Sequence, residues 1–463
     1  MIIIPDIKGK NYAVMGLGRS GTSAALSLQA SRAHVWAWDD SEQLRQEACA
    51  QGIHIQAVSD HEWHLMSALV LNPGIPHTYP QPHISALKAR EAGIPIVCDI
   101  NFLSLAQPQA QFIGITGTNG KSTTTALIGH LLKSAGKPVQ IGGNIGIAAL
   151  SLEPFENQAL STFVLELSSY QLELTPNLQL DRAILLNITP DHLYRHGGMT
   201  GYIAAKKTIF RHLKSETNNI ALVGIDDAES EAISQELKKQ CRVITFSGTG
   251  SKSADIYVKD NILYEKEQQV LDLTQITSLK GNHNAQNIAA AYGTGRSLGL
   301  AKDILIEGIR TFQGLSHRLE SLGKISGVEF VNDSKATNAE AVTKALACYD
   351  HIYWILGGQA KENGLEGLEA FYSRIKHAFL IGEASSLFEK QLHGKVPLTR
   401  CDELEKATHL AFDAACQSQD HDRSTKVVLL SPACASWDQF KSFEHRGDVF
   451  RALFHQLKQK IEM

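Results

Sequence analysis

Phe112-Ile113-Gly114-Ile115-Thr116-Gly117-Thr118-Asn119-Gly120-Lys121-Ser122-Thr123 is the stretch that decides the fold. A short apolar run leads into a glycine-rich loop. After Lys-Ser-Thr, Leu127, Ile128, Leu131 and Leu132 recur at helical spacing. Strand, glycine loop and helix in that order suit a triphosphate. Glycines let backbone N–H groups converge on phosphate, the helix N-terminus adds partial positive charge, Lys121 bridges phosphates, and Ser122 reaches Mg²⁺. The spacing departs from GxxxxGK[ST], which would need glycine at Ile115; the nearest upstream glycine is Gly117. A chance Gly-Lys-Ser in a surface loop is the competing reading, and the flanking strand and helix argue against it.

Upstream, Asn11 to Met15 reads as a strand that enters Gly16-Leu17-Gly18-Arg19-Ser20-Gly21 and then a helix. A second strand, His34 to Trp38, ends in Asp39-Asp40, about twenty residues past the glycines, as in a dinucleotide fingerprint. Such a loop cradles a diphosphate without naming its carrier: NAD fits, and so does another phosphate ligand. Ala68 to Leu71 runs into Asn72-Pro73-Gly74, and the proline-rich run His77 to Pro82 returns the chain over the surface. This block ends near Asp99.

Downstream, apolar strands recur at Phe163–Leu167, Ala183–Ile188, Ile220–Val223 and Val243–Phe246, mostly alternating with helical patterns. That predicts a mainly parallel sheet covered on both faces. Ile256–Val258 and Ile262–Tyr264 predict an antiparallel hairpin at an edge, and a helix beginning near Asn284 closes the block around Gly314. Val328–Val331, Ile352–Leu356, Phe379–Ile381 and Val427–Leu430 repeat the pattern, with helices at Ala339–Cys348 and from Val449. The expectation is an α/β protein of three domains. Residues 1–100 form a Rossmann-like N-terminal domain, 101–314 a P-loop-type, mainly parallel central domain, and 315–463 a Rossmann-like C-terminal domain.

The chain has 463 residues, 43% hydrophobic and 20% charged, with a net charge of −4. That balance gives no reason to expect a nucleic-acid or membrane partner. Its seven cysteines include no CxxC, which fits a reducing cytoplasm without a disulfide framework or zinc site. Ile2-Ile3-Ile4 before Pro5 is too short for a signal-peptide core, and no run of 18 apolar residues follows. The expectation is cytoplasmic and soluble.

In open α/β sheets, ligands bind beyond the carboxyl ends of the strands. Glu166 ends one strand near the phosphate loop and suits Mg²⁺, which takes few, hard oxygen ligands; a buried glutamate satisfied by local backbone is the alternative. Asp191-His192 follows the next strand end, where a helix cap is the competing reading. By spacing alone Lys206 is a surface lysine. Asn282, Asn284 and Asn287 cap a helix or present amides to a purine. In the third block, Asp333 to Asn338, Lys361 after Gly357-Gly358, and Ser431 to Ser436 place lysines and hydroxyls at strand ends, as a site for an anionic substrate would.

Taken together these motifs resemble the Mur ligase family. They are Thr116 to Thr123, Gly142-Gly143-Asn144-Ile145-Gly146, Leu165 to Glu173, Asn187 to His192, Ala205-Lys206, Gly281 to Asn284, His317-Arg318, Asn332 to Asn338 and Leu430 to Phe440. They span essentially the whole chain. The phosphate loop is shared with folylpolyglutamate synthases, while the last two motifs point to the D-glutamate-adding branch. The resemblance implies ATP-dependent amide formation in peptidoglycan precursor synthesis, with ATP and Mg²⁺ as cofactors. ATP would phosphorylate the alanyl carboxylate of UDP-N-acetylmuramoyl-L-alanine, and the amine of D-glutamate would attack the acyl phosphate.

It further implies that Gly117, Thr118, Asn119, Gly120, Lys121, Ser122, Thr123, Asn284, Asn287, Arg318 and Lys335 bind ATP. Ser122, Glu166, His192 and Lys206, the last as a carbamate, would serve the metal, with Lys121, Glu166, His192 and Lys206 catalytic. The UDP end would meet Gly16, Leu17, Gly18, Arg19, Ser20, Gly21, Asp39, Asn72, Gly74 and Asn144. D-glutamate would meet Thr337, Lys361, Ser436 and Phe443. Arg19-Ser20, Tyr170 (where phenylalanine is expected), Gln359-Ala360 and Trp437 depart from the pattern and leave details of uridine and glutamate contact open.

A carbamate forms on the neutral amine, so Lys206 needs a pKa well below the ordinary lysine value. A nicotinamide dehydrogenase would leave the phosphate loop and third block without a role, and a P-loop switch would leave the first glycine loop idle. A ligase with three small-molecule substrates uses all three blocks. Such an enzyme is expected as a monomer whose third domain closes on its ligands.

Overall fold

In the computed structural model of the chain, residues 1–214, 218–279, 281–360, 364–418 and 425–462 are described. They form two compact units, Met1–Gln275 with Asn282–Thr311, and Ile276–Gly281 with Phe312–Met463.

The first unit contains two sheets. Strands β1 (Asn11–Met15), β2 (His34–Trp38), β3 (Met66–Leu71) and β4 (Ile96–Val97) form a parallel sheet in the order β2-β1-β3-β4. The strand order reverses at β1, which lies between β2 and β3, so the glycine loop Gly16–Gly21 emerges at a topological switch point.

The second sheet has nine strands. They are β5 (Gln111–Thr116), β6 (Val139–Gly143), β7 (Thr162–Glu166), β8 (Arg182–Leu185), β9 (Ile220–Gly224), β10 (Arg242–Ser247), β11 (Ile256–Lys259), β12 (Ile262–Glu265) and β13 (Gln268–Asp272). Their order is β13-β12-β11-β10-β9-β8-β5-β7-β6, parallel from β6 to β11 and antiparallel from β11 to β13. Here β5 lies between β7 and β8, and the phosphate loop leaves at that switch point. The expected hairpin is present, extended by β13. One expected strand ends early: the run Ala183–Ile188 pairs only to Leu185, because Asn187 turns to hydrogen-bond the phosphate loop.

One apolar core serves both sheets, with Ala24, Leu28 and Leu69 in the same cluster as Phe102, Leu150 and Phe163. Main-chain bonds Ile2 N to Leu150 O, 3.2 Å, and Cys98 N to Leu174 O, 2.9 Å, also tie the two blocks.

The second unit carries β14 (Glu320–Ile325), β15 (Val328–Asn332), β16 (His351–Gly357), β17 (Ile375–Ile381), β18 (Leu398–Asp402) and β19 (Lys426–Leu430), in the order β14-β15-β19-β16-β17-β18. Every pair is parallel except β14 with β15. Its two faces are filled separately, one around Trp354, Leu380 and Phe388, the other around Phe330, Phe412 and Phe450. The last helix spans Phe443–Glu462, starting earlier than the expected Val449 because its first turn is polar and carries no apolar period.

Candidate active site

The phosphate loop is a glycine-dependent turn held by its neighbours. Gly117 and Gly120 sit at φ +155° and +85°, and a Cβ on Gly120 would fall on Asn287 Oδ1. Thr118 N donates to Asn187 O and Asn119 N to Asn187 Oδ1, both at 2.9 Å. Asn187 Nδ2 donates in return to Asn119 O, 3.2 Å, and to Gln286 Oε1, 2.7 Å. Gly120 caps the helix Lys121–Ser134 with no side-chain hydrogen bond, which leaves that N-terminus suited to an anion. Lys121 Nζ folds back onto Gly117 O, 3.0 Å, and Thr118 O, 2.8 Å. Asn284 and Asn287 stand behind this loop: Asn287 Nδ2 donates to Asn284 Oδ1, 2.9 Å, and Thr124 Oγ1 donates to Asn287 Oδ1, 3.2 Å.

Glu166 ends β7 and is 2% exposed. Its Oε1 accepts from Asn144 Nδ2 at 2.8 Å, while its buried Oε2 has no hydrogen-bond donor among the described residues. Asn144, expected among the UDP contacts, is thus placed on the candidate metal ligand. The turn before it needs glycine, since a Cβ on Gly143, at φ +98°, would fall on the Glu166 carbonyl.

Lys206 is 1% exposed on the helix Met199–Lys207. Its Nζ donates to Gly117 O at 2.7 Å and lies 4.7 Å from the Tyr202 ring centre. Burial first, and the Lys121 ammonium second, push its pKa well below the ordinary lysine value, against the opposing pull of Asp191 and Glu166. The surface-lysine reading of the spacing is therefore wrong: a buried amine with a lowered pKa sits beside the phosphate loop.

His192 adopts a left-handed backbone, φ 51°, which is costly outside glycine. Its Nε2 is 3.4 Å from Asp191 Oδ2, and burial lowers its pKa while Asp191 acts the other way. Among the described residues no group of three or more His, Cys, Asp or Glu side chains could hold a metal ion by itself. The donor set nevertheless fits Mg²⁺, since a buried carboxylate oxygen without a donor is a ready ligand and Mg²⁺ completes its shell with phosphate oxygens and water.

In the first sheet, Leu17 N donates to Asp39 Oδ2, 2.6 Å, and Ser41 N to Asp39 Oδ1, 2.8 Å. One carboxylate oxygen thus braces the glycine loop, and the other holds Ser41, the cap of the helix that follows β2. A Cβ on Gly21 would strike the Gly16 carbonyl. Asn72 N donates to Met15 O, 2.9 Å, and its Oδ1 accepts from Gly74 N, 3.1 Å, beside that loop. Arg19 is exposed; Gly18 and Ser20 are half-buried.

In the second unit, Lys335 Nζ lies 4.2 Å from the Phe443 ring centre. Buried Arg446 joins two strand ends, donating to Ser334 O, 2.8 Å, and Cys434 O, 3.1 Å. Ser436 is 1% exposed, Thr337 is half-buried, and Arg318 and Trp437 are exposed. Asp333 is buried, and loss of solvent raises its pKa to about 7 despite a hydrogen bond from Ser431 Oγ at 2.8 Å. Lys361 lies outside the described residues.

Spacing missed two residues that build the site. Tyr202 Oη is 3.0 Å from Thr118 Oγ1, and its position four residues before Lys206, on one helix face, was the available signal. Asn187 stood in a quoted motif without an assigned part.

The pattern of the Mur ligase middle domain matches residues 115–295. The chain is 50% identical over 460 residues to the UDP-N-acetylmuramoylalanine–D-glutamate ligase of Paramagnetospirillum magneticum, covering 99% of each. It is 49% identical to the enzyme of that name from Rhodospirillum rubrum, covering 99% of this chain and 97% of the relative. Among solved structures, UDP-N-acetylmuramate-alanine ligase MurC from Thermotoga maritima superposes with a TM-score of 0.58 at 16% identity, over 97% of this chain and 100% of that one. A UDP-N-acetylmuramoyl-L-alanyl-D-glutamate–2,6-diaminopimelate ligase also gives 0.58 at 16%, over 99% and 94%. The chain belongs to the Mur ligase family.

Proposed function

We propose that the protein is an ATP-dependent ligase that adds D-glutamate to UDP-N-acetylmuramoyl-L-alanine in peptidoglycan precursor synthesis. The observation that carries this reading is the buried amine of Lys206 against the phosphate loop. A cation pushed toward neutrality there has a chemical use in a Mur ligase and none in a structural core.

Lys121 and the first amides of its helix hold the ATP phosphates, with Asn284 and Asn287 bracing that wall and Arg318 and Lys335 as further ATP contacts. The alanyl carboxylate attacks the γ-phosphorus, ADP leaves, and the acyl phosphate is then attacked by the amine of D-glutamate with loss of phosphate. Glu166, His192, Ser122 and carbamylated Lys206 are the residues that would hold Mg²⁺, which when bound neutralises phosphate charge. Gly16–Gly21, Asp39, Asn72, Gly74 and Asn144 serve the UDP end, and Thr337, Lys361, Ser436 and Phe443 the incoming glutamate. The three blocks 1–100, 101–314 and 315–463 divide this work, in a cytoplasmic monomer. No helix among the described residues is long and apolar enough to cross a membrane.

The test is ADP release measured with the muramoyl nucleotide present and a panel of amino acids. Release should depend on D-glutamate and on the nucleotide together. Release with neither present would instead indicate a P-loop switch.

A further inference from the structure

Arg195 has no part in the chemistry above, yet its placement is costly. It is 4% exposed in the short helix Leu193–His196 that follows His192. Its guanidinium reaches back to a loop 116 to 122 residues earlier: Nη1 donates to Tyr79 O at 2.6 Å, and Nη2 to Pro73 O, 3.2 Å, and Ile75 O, 3.3 Å. The Tyr170 ring packs against the guanidinium at 4.7 Å and also flanks His192, 5.2 Å, and His196, 5.4 Å. A second tie runs in parallel. His196 Nδ1 is 3.1 Å from Glu173 Oε1, whose other oxygen is 3.9 Å from His77 Nε2.

A buried guanidinium must recover its lost hydration from well-placed acceptors. These three acceptors are backbone carbonyls, available only while the chain from Pro73 to Tyr79 keeps this conformation. That chain begins at Asn72–Gly74, beside the glycine loop of the first sheet.

We infer that Arg195 is a positioning residue for the uridine-nucleotide end of the substrate: it holds the loop 73–79 against the segment that carries His192. Tyr170 serves as the plate that keeps the guanidinium aimed. This departure from the expected phenylalanine retains the ring that the contact needs. The inference rests on the ligase reading and adds to it a link between two subsites of the first unit.

The test is calorimetric binding without turnover, titrating UDP-N-acetylmuramoyl-L-alanine and, separately, ADP. Arg195→Ala should weaken the nucleotide sugar about tenfold, as loss of charge-assisted hydrogen bonds does. Its ADP affinity should stay within about twofold, because the phosphate loop has its own supports. Arg195→Lys should fall between, since one ammonium cannot match a planar fork on three carbonyls. Equal weakening of both ligands would reveal a merely structural role and overturn the inference, as would an unchanged affinity for the nucleotide sugar. Should Arg195→Ala not fold, Arg195→Lys and Tyr170→Leu supply the same comparison. A wild-type protein that binds ADP but not the nucleotide sugar overturns the ligase reading itself, and the inference with it.

Discussion

A buried lysine is an unfavourable feature that folding must tolerate. Burial and the Lys121 cation outweigh the opposing pull of Asp191 and Glu166 on Lys206, so its amine loses its proton more readily than in water. The sign of the pH effect follows. Between the lowered folded pKa and the ordinary 10.5, the unfolded chain holds a proton that the folded chain lacks, so Lys206 makes stability rise with pH across that window. Lys206→Met removes the effect. In carbonate-free buffer the variant should melt at or above the parent at pH 7, with the parent gaining on it toward pH 10, and its ligase turnover should be lost. Parallel melting profiles would show that the amine stays charged, and the carbamate proposal would lose its chemical basis. Sequence spacing could not show any of this. Burial of Lys206 is decided by the phosphate loop and Tyr202 ring it packs against, and only the family resemblance pointed to it beforehand.

Elements with a continuous apolar run were legible, β5, β7 and β9 among them, because parallel strands buried on both faces are nearly all apolar. The glycine loops after β1 and β5 were legible for a different reason, since no other residue fits their turns. The edge strands β14 and β6 escaped notice. Glu320-Ser321-Leu322-Gly323-Lys324-Ile325 and Val139-Gln140-Ile141-Gly142-Gly143 mix polar residues and glycine, as a strand with one open side allows. The site was legible where a motif carries its own mechanism, and not where a residue such as Tyr202 or Arg195 acts through a distant segment. The junction of β5 with its helix makes its own prediction. Gly120→Ala must hold a left-handed φ, at about 1–3 kcal/mol, and displace Asn287, which also bonds Thr124 and Asn284. ADP affinity should fall at least about tenfold while the nucleotide sugar still binds. Undiminished ADP binding would remove this loop from the nucleotide site.

At the scale of the whole molecule, the proposed groups divide between the two compact units. Lys121, Glu166, His192, Lys206 and the nucleotide-sugar loops belong to the first, and Arg318, Lys335, Thr337, Ser436 and Phe443 to the second. The proposed reaction joins an activated carboxylate to an amine. An acyl phosphate also hydrolyses readily unless water is excluded, and enzymes commonly meet that need by closing a domain over the reacting atoms. The prediction is therefore ligand-specific. Small-angle scattering should show a smaller radius of gyration with a non-hydrolysable ATP analogue, Mg²⁺, the muramoyl nucleotide and D-glutamate together. The muramoyl nucleotide alone should produce little change, because the loops proposed for its UDP end lie in the first unit. Identical scattering with and without the full set would refute closure and require a rigid enzyme that shields its intermediate by other means. Contraction with the nucleotide alone would place part of that substrate's binding surface on the second unit.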